Sequence, residues 1–592
     1  MMERWRRLAG PSVALFAILS SAIGIVNQYT YDDRYIIQLE PSTHTLHRWW
    51  QVFASSYWPK NAGGDGYRPI TILAFKIQWV VGHGNPAVFH AVNILLYAAV
   101  SVLVFVLARR LLPLWAAWLV GASFAVHPVH VEAVANVVGQ AEMLVALAVI
   151  GATILYVHDR LRGGGGADGA LRPSTIVWIA LLYAFGCLSK EHGIVLPGIL
   201  LAAELTVIDD RSSLRERILR LRPFYLGLAA VAVAFFAARS LVLSGRPLGG
   251  FEPFLPFSAL RISSTDRALT ALGVVPQWIR LLYWPVRLSS DYGPPEIDIA
   301  QGVSIMQLPG LLLLVGILAL GVLLRRRQPA IAFGIAIVCV ALLPSSNFIL
   351  PAGIVLAERT LFLPSVGAML VVGGTALVIA DRLRASPRAA RATMTARAVC
   401  AAVLVAGTVR SATRTRVWRD NDTLFAHAVL DAPDSYRTHY VLGSWYLDQK
   451  KKRLAEAEYR RGLKLFPYDP FLAFGLAEEY RTSGICGAAI PLYRWAREVD
   501  PEFPIGRTQY ALCLFNAGAY DSAKHYALEA VRAGGVLPTL HELIHDIDSA
   551  RVASRKIDQG GKLSMVALAG SRGKLPDTVQ KSTPKSTSAP PR

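Results

Sequence analysis

The chain has 592 residues, 53% of them hydrophobic and 17% charged, and a formal net charge of +20. That apolar share exceeds what one soluble domain buries, and the length exceeds an ordinary single domain, which together exclude a small soluble enzyme and indicate a polytopic membrane protein. The positive charge does not imply nucleic acid, because the arginines gather on short loops between apolar runs, as they do on cytoplasmic loops.

The opening MMERWRRLAG is basic and the stretch from Pro11 to Asn27 is apolar without a small-residue cleavage site. This reads as a retained signal anchor, with its N-terminus cytoplasmic and Asp32 on the outside. Asp32 and Asp33, in YTYDDRY, then stand within a turn of the membrane surface, where a carboxylate is costly unless it is paired, hydrated or functional. In the outer loop 28–86, Leu46, Trp49, Trp50, Phe53 and Tyr57 recur at helical spacing and predict an interfacial helix with an aromatic face.

Ten further apolar segments are long enough to cross, near 87–108, 111–127, 140–157, 174–190, 193–208, 223–243, 306–324, 329–346, 361–380 and 396–411. The stretch 269–286 is interrupted by Pro276 and Pro285 and carries Arg280, so it is expected to be re-entrant or interfacial. With eleven crossings in all, Arg109–Arg110, Arg160, Arg162 and Arg172, the run Arg211 to Arg222, Arg325 to Arg327 and the run Arg382 to Arg397 share the side of the N-terminus. Counting 269–286 as a crossing would put the last two clusters outside, against the positive-inside rule.

Beyond the last span, Pro433, Pro467 and Pro501 recur every 34 residues, as do Tyr459 and Tyr493, with Ala455, Ala489 and Ala523 in phase. Ala428, Gly462, Ala496 and Ala530 follow the same period. This is the tetratricopeptide pattern, in which small residues sit where paired helices cross. Leu442-Gly443 and Tyr446, then Leu476-Ala477 and Tyr480, fill first-helix positions; a third unit starts near Pro504, and Thr423 to Leu430 reads as a lone second helix covering the leading end. Such an array offers a groove for extended polypeptide. The expected division is a membrane catalytic domain over 1–415, repeats over 416–550 and a disordered basic tail over 551–592, pronounced from Lys556. The five cysteines, Cys187, Cys339, Cys400, Cys486 and Cys513, show no C-x-x-C pair and predict neither a disulfide framework nor a zinc knuckle.

The expected outer loops concentrate ionisable residues: Asp32, Asp33, Arg68, His127, His130, Glu132, Glu142, Lys190, Glu191, His192, Asp291, Glu358 and Arg359. Each alone has a structural explanation, but scattered structural polars need not choose one face of a bilayer. Group transfer to a hydroxyl needs a base, for which Asp32 or Asp33 serves, and cations for an anionic leaving group such as a phosphate, for which Arg359 and Arg68 serve. His127, His130 and Lys190 are candidates for binding phosphate or hydroxyl groups, oriented by Glu132 and Glu191. Two metal readings compete. His127, His130 and Glu132 are plausible ligands by type, although Pro128 looks more like a helix start. His541-Glu542-Leu543-Ile544-His545 fits the zincin HExxH pattern, but only aspartates come after it as third ligand and it lies in the helix that closes the array.

The strings YRPITILAF, FHAVNILLY, HPVHVEAVANVVGQAEML, LSKEHGI and LPAGIVLAERTLFLPSVG, then WRDNDTLFAHAV and the repeats, resemble the transmembrane and tetratricopeptide repeat-containing O-mannosyltransferases of the GT-C superfamily, over roughly residues 10–535. The resemblance implies an all-α, GT-C-type membrane domain followed by an α-solenoid. It also implies a polyprenyl-phosphate sugar such as mannose as donor, Ser or Thr hydroxyls of proteins as acceptor, and no metal or other cofactor. The array here is short, with about three full repeats. The Ala- and Arg-rich composition suggests a bacterial chain in the inner membrane, with active site and repeats periplasmic. The alternatives are a non-catalytic membrane scaffold and a transporter of lipid-linked sugar, the latter expected to show polar residues at mid-depth.

Overall fold

The structure, a computed structural model, describes residues 2–59, 66–162, 171–210, 212–245, 260–384, 389–499, 506–532 and 538–558. Among these residues all regular structure is helical, and extended pairing is confined to two isolated bridges, Tyr292 with Leu356 and Pro295 with Ser435. Proline opens many of the helices: Pro69, Pro86, Pro173 and Pro329 each occupy a first-turn position, where the missing N–H has no intrahelical partner to lose.

Seven described helices are long and apolar enough to cross a bilayer: Trp5–Val26, Pro86–Leu111, Val137–Leu161, Arg215–Val242, Ile305–Leu324, Glu358–Arg384 and Ala390–Trp418. An eighth crossing results if Leu114–Ala125 and Pro128–Ala135, bent by 45°, count as one span. The other three expected crossings are shorter helices: Pro173–Ser189, Leu196–Thr206 of 11 residues, and Pro329–Ser345. Two of them nevertheless run the same course as their long neighbour. Lys190 meets Glu142 at one end of the Gln140–Leu161 helix, while Asp159 accepts from Arg172 N and Arg160 binds Glu204 at the other. Polar turns such as Ser189-Lys190-Glu191 end these helices early, so their apolar length falls short of their reach.

Val137–Leu161 is the central helix, 83% of its apolar window being buried, whereas Ile305–Leu324 and Ala390–Trp418 lie outermost at 6% each. Pro329–Leu342 and Phe362–Arg384 approach closely because Gly334 and Gly367 face each other, and a Cβ on either would collide with the other's carbonyl oxygen.

Three expectations are corrected, and one helix appears that none foresaw. Residues 269–286 are not broken at Pro276: a helix runs through it from Ser264 to Tyr283, burying Ala271, Val274, Val275, Trp278, Leu281 and Leu282 along one stripe. This helix is absent from those apolar enough to span. The aromatic stretch forms only a short 3-10 helix, Trp49–Ala54, because Arg48 takes a left-handed conformation at φ 51°. Leu46, Trp49, Trp50 and Phe53 are exposed as expected, but Tyr57 is buried apart from them. The outer loop holds an unanticipated apolar helix, Pro69–Gly82. Finally, Cys486 and Cys513, 27 residues apart, form a disulfide with a Cα–Cα distance of 5.1 Å. It joins the Cys486–Val499 helix to Arg507–Asn516, a pairing set by how successive helices stack and not by local spacing.

After the last span the chain runs as the helices Asn421–Asp431, Tyr436–Asp448, Lys452–Leu465, Pro470–Thr482, Cys486–Val499, Arg507–Asn516 and Tyr520–Arg532, with Tyr436–Asp448 packed on Lys452–Leu465 and Arg507–Asn516 on Tyr520–Arg532. The in-phase residues Ala428, Ala455, Gly462, Ala489, Ala496, Ala523 and Ala530 are all buried, as the period requires. Pro501 and Pro504 lie outside the described residues. By compactness the chain divides into two units, residues 1–476 and 477–592. The closing helix runs from Pro538 to Asp558, past the expected start of the tail at 551, and residues 559–592 lie outside the described ones.

Candidate active site

The Tyr29–Asp33 segment leaves the first span as a tight turn. Both oxygens of Asp33 are taken: Oδ2 accepts from the backbone N–H groups of Thr30 and Val137 at 3.1 Å each, and Oδ1 from Val138 at 2.8 Å. The 136–139 turn that presents these donors closes on Gly139, where a Cβ would collide with the Ala133 carbonyl. Burial pushes Asp33 up to about 7 against the pull of those three donors. Asp33 is thus a buried bolt between two loops.

Asp32 points the other way. It is half-buried at the wall of a cavity of about 300 Å³, and its carboxylate has no hydrogen-bond donor among the described residues. Burial raises its pKa to about 6; Arg359 opposes the rise, Glu132 adds to it, and Arg68 and Arg437 oppose it further. Of the adjacent carboxylates, only Asp32 is placed to accept a proton from a bound molecule.

Arg68, Lys190, Glu191 and Arg359 share the cavity with Asp32. Each cation is steadied by a carboxylate. Arg68 Nε donates to Glu191 at 2.9 Å, and its guanidinium stacks 4.5 Å over the Tyr57 ring. Lys190 binds Glu142, and Arg359 binds Glu132, whose Oε2 also accepts from Arg359 N at 2.8 Å. Burial alone would raise Glu191, but Arg68 and Arg239 hold its carboxyl well below the usual range. Burial lowers the Lys190 ammonium more than Glu142 raises it. Glu132 therefore sits behind Arg359 and serves the cavity through it.

His127 and His130 are not brought to the cavity. His127 Nε2 lies 3.0 Å from the Leu282 carbonyl, and His130 is held between Tyr97 OH at 2.9 Å and Ser365 Oγ at 2.8 Å. Both imidazoles hydrogen-bond within the helical core and Glu132 is paired to Arg359, so the three side chains do not converge on one point of the cavity. In the HExxH segment His541, Glu542 and His545 lie exposed on their helix, and no group of three metal-ligating side chains occurs among the described residues. Glu358 is buried and accepts from Tyr292 OH at 2.7 Å and Ser289 N at 2.6 Å, a scaffold role.

No protein-family model matches the chain. It is 28% identical over 501 residues to human protein O-mannosyl-transferase TMTC4, covering 77% of this chain and 66% of the relative. To human protein O-mannosyl-transferase TMTC1 it is 26% identical over 463 residues, 71% of this chain and 50% of the relative. A Drosophila melanogaster relative, protein O-mannosyl-transferase Tmtc2, is 32% identical over 277 residues, 45% of this chain and 28% of its own. The relatives of this chain are protein O-mannosyl-transferases. The chain spans half to two thirds of the length of the two human relatives.

Beside this likeness to O-mannosyl-transferases, the cavity holds residues that sequence reasoning missed. Arg239 is fully buried and binds Glu191 at 2.5 Å from within an apolar helix. A lone arginine near the end of an apolar span was its signal. Tyr57 was assigned to the aromatic face, and Glu142 was noted without a role.

Proposed function

We propose that this chain is an integral-membrane O-mannosyltransferase that moves mannose from a polyprenyl-phosphate donor to Ser or Thr hydroxyls of proteins. The observation that carries the reading is Asp32, a cavity carboxylate without a hydrogen bond among the described residues, set among cations that are each tied to a carboxylate of their own. The acceptor oxygen attacks the sugar's anomeric carbon, and Asp32 takes its proton. The bond from that carbon to the phosphate oxygen breaks, its electron pair staying with the phosphate. Arg359, Arg68 and Lys190 stabilise that charge, and their carboxylate partners fix them in place before it develops.

We place the cavity on the outer face, periplasmic in a bacterial inner membrane. Arg109, Arg110, Arg160 and Arg325 to Arg327 stand at the helix ends remote from the cavity, which supports this orientation. The Cys486–Cys513 disulfide supports an oxidising compartment for the repeats, whose groove would hold extended acceptor polypeptide. The test is transfer of radiolabelled mannose from a polyprenyl-phosphate donor to a Ser/Thr peptide by the purified full chain, with glucose and galactose donors in parallel. Transfer from none of the three, by protein shown to be folded, would overturn the reading.

A further inference from the structure

Tyr31, the residue before Asp32, has φ of 54°, a left-handed conformation that an aromatic residue holds only when its surroundings impose it. The restraints come from the leading end of the repeat array. Tyr31 N donates to Asn421 Oδ1 at 2.9 Å, and its ring packs on Phe425 at a centroid distance of 5.9 Å. Its hydroxyl donates to Asp291 Oδ2 at 3.3 Å, and Asp291 in turn is gripped by Arg437 Nε at 2.8 and 3.0 Å. Either side of this turn the clamp continues. Gln28 N donates to the Arg419 carbonyl at 2.8 Å, and Arg34 reaches Asp448 at 2.5 Å.

Asp32 is therefore bracketed. Asp33 is bolted to the 137–138 turn of the membrane helices, and Tyr31 is held by residues 421–437. Released from the second clamp, Tyr31 would relax to ordinary backbone angles and rotate Asp32 off the cavity wall.

We propose that the leading helices of the array, Asn421–Asp431 and Tyr436–Asp448, are a positioning part of the catalytic centre, with Arg437 acting through Asp291 and Tyr31 to hold Asp32 at the cavity. This rests on Asp32 as the base. Arg437 also contributes charge: Asp32 faces Arg359, Glu132, Arg68 and Arg437, with Asp33 beside it. The phenols of Tyr31, Tyr35 and Tyr57 are its other titratable neighbours.

The experiment uses full-length protein, a short Ser/Thr peptide and polyprenyl-phosphate-mannose. A short peptide can bypass the groove, so a loss of rate is not a loss of delivery. Arg437→Gln should lower kcat between about 10- and 100-fold, as misplacement of a catalytic group does, with donor KM within about twofold. It should also move the acid limb of the pH profile upward, because a cation near Asp32 is gone. Arg437→Lys should restore the limb but only part of kcat, since an ammonium lacks the guanidinium geometry. Asn421→Ala removes one hydrogen bond and no charge; it should lower kcat without moving the limb, and it decides the matter if Arg437→Gln fails to insert. Folded Arg437→Gln and Asn421→Ala enzymes with unchanged kcat and pH profile, while Asp32→Asn is inactive, would overturn the positioning role alone. An active Asp32→Asn enzyme would instead overturn the base assignment beneath it.

Discussion

Replacing Asp32 with Asn keeps the side chain's shape and removes its ability to take a proton. Loss of a positioned base costs about 10²- to 10⁴-fold in rate, so transfer to a peptide should fall by at least the lower figure. The same change should stabilise the fold. Burial raises the Asp32 pKa from its usual 3.8 to about 6, so ionising it in the folded state costs at most about 3 kcal/mol at ~1.4 kcal/mol per pH unit. The sign follows from the raised pKa: the folded state holds this proton more tightly than the unfolded chain, so stability is intact below about pH 4 and declines as pH rises through about 6. The variant escapes that decline. The difference in thermal stability between variant and parent should thus be near zero at pH 4 and largest at pH 8. The parent's activity should fall tenfold per pH unit below about 6, where Asp32 is protonated. The assay is mannose transfer from pH 4.5 to 8.5 with melting curves in the same detergent. A variant retaining a tenth of the parental rate, or a parental acid limb near pH 4, would refute the reasoning.

Asp33→Ala strands two buried N–H groups, at about 1–3 kcal/mol each, and the partly buried one of Val138, so the yield of folded protein should drop sharply while any that inserts retains donor affinity; melting and donor titration check this. Arg359→Lys keeps charge beside Glu132 but loses the paired donors of the guanidinium, and should raise donor KM more than acceptor KM in a two-substrate titration. A cysteine placed at Arg326 should be labelled by an impermeant reagent only after the membrane is opened, whereas one at Trp50 should react in sealed cells.

Much of the site was legible because ionisable residues beside apolar spans have few reasons to be there. Asp32, Arg68, Lys190, Glu191 and Arg359 all meet at one cavity although they come from three stretches far apart in the chain, 32–68, 190–191 and 359. The placement of the histidines was not legible, for a physical reason. His127 and His130 lie in the same short loop as Glu132, and which way each ring turns depends on Tyr97, Ser365 and the Leu282 carbonyl, partners 33 to 235 residues away. The 34-residue period disclosed the buried small residues of the array but not where the compact unit ends, since that depends on contacts such as Tyr31 with Phe425. The disulfide was hidden likewise, because its cysteines become neighbours only when successive helices stack.

The charges at the cavity explain why the Asp32 carboxylate, with no hydrogen-bond donor among the described residues, is tolerable there. Arg68, Lys190, Arg239 and Arg359 line it, opposed by Glu142 and Glu191 in the wall and by Glu132 behind Arg359. An ionised Asp32 brings this group to neutrality. A phosphodiester donor arrives with one negative charge, and its phosphate gains a second as the sugar departs. In the proposed reaction Asp32 loses its own negative charge in the same event, so the wall becomes more positive as the leaving group becomes more negative. The total inside the cavity does not change, and no counterion has to enter a site whose walls are largely shielded from water. A pKa of about 6 fits this exchange: Asp32 is charged when the acceptor arrives near neutral pH, yet close enough to protonation to take the hydroxyl's proton. A carboxylate paired as tightly as Glu191 would already be spent on its cations and would gain little by accepting a proton.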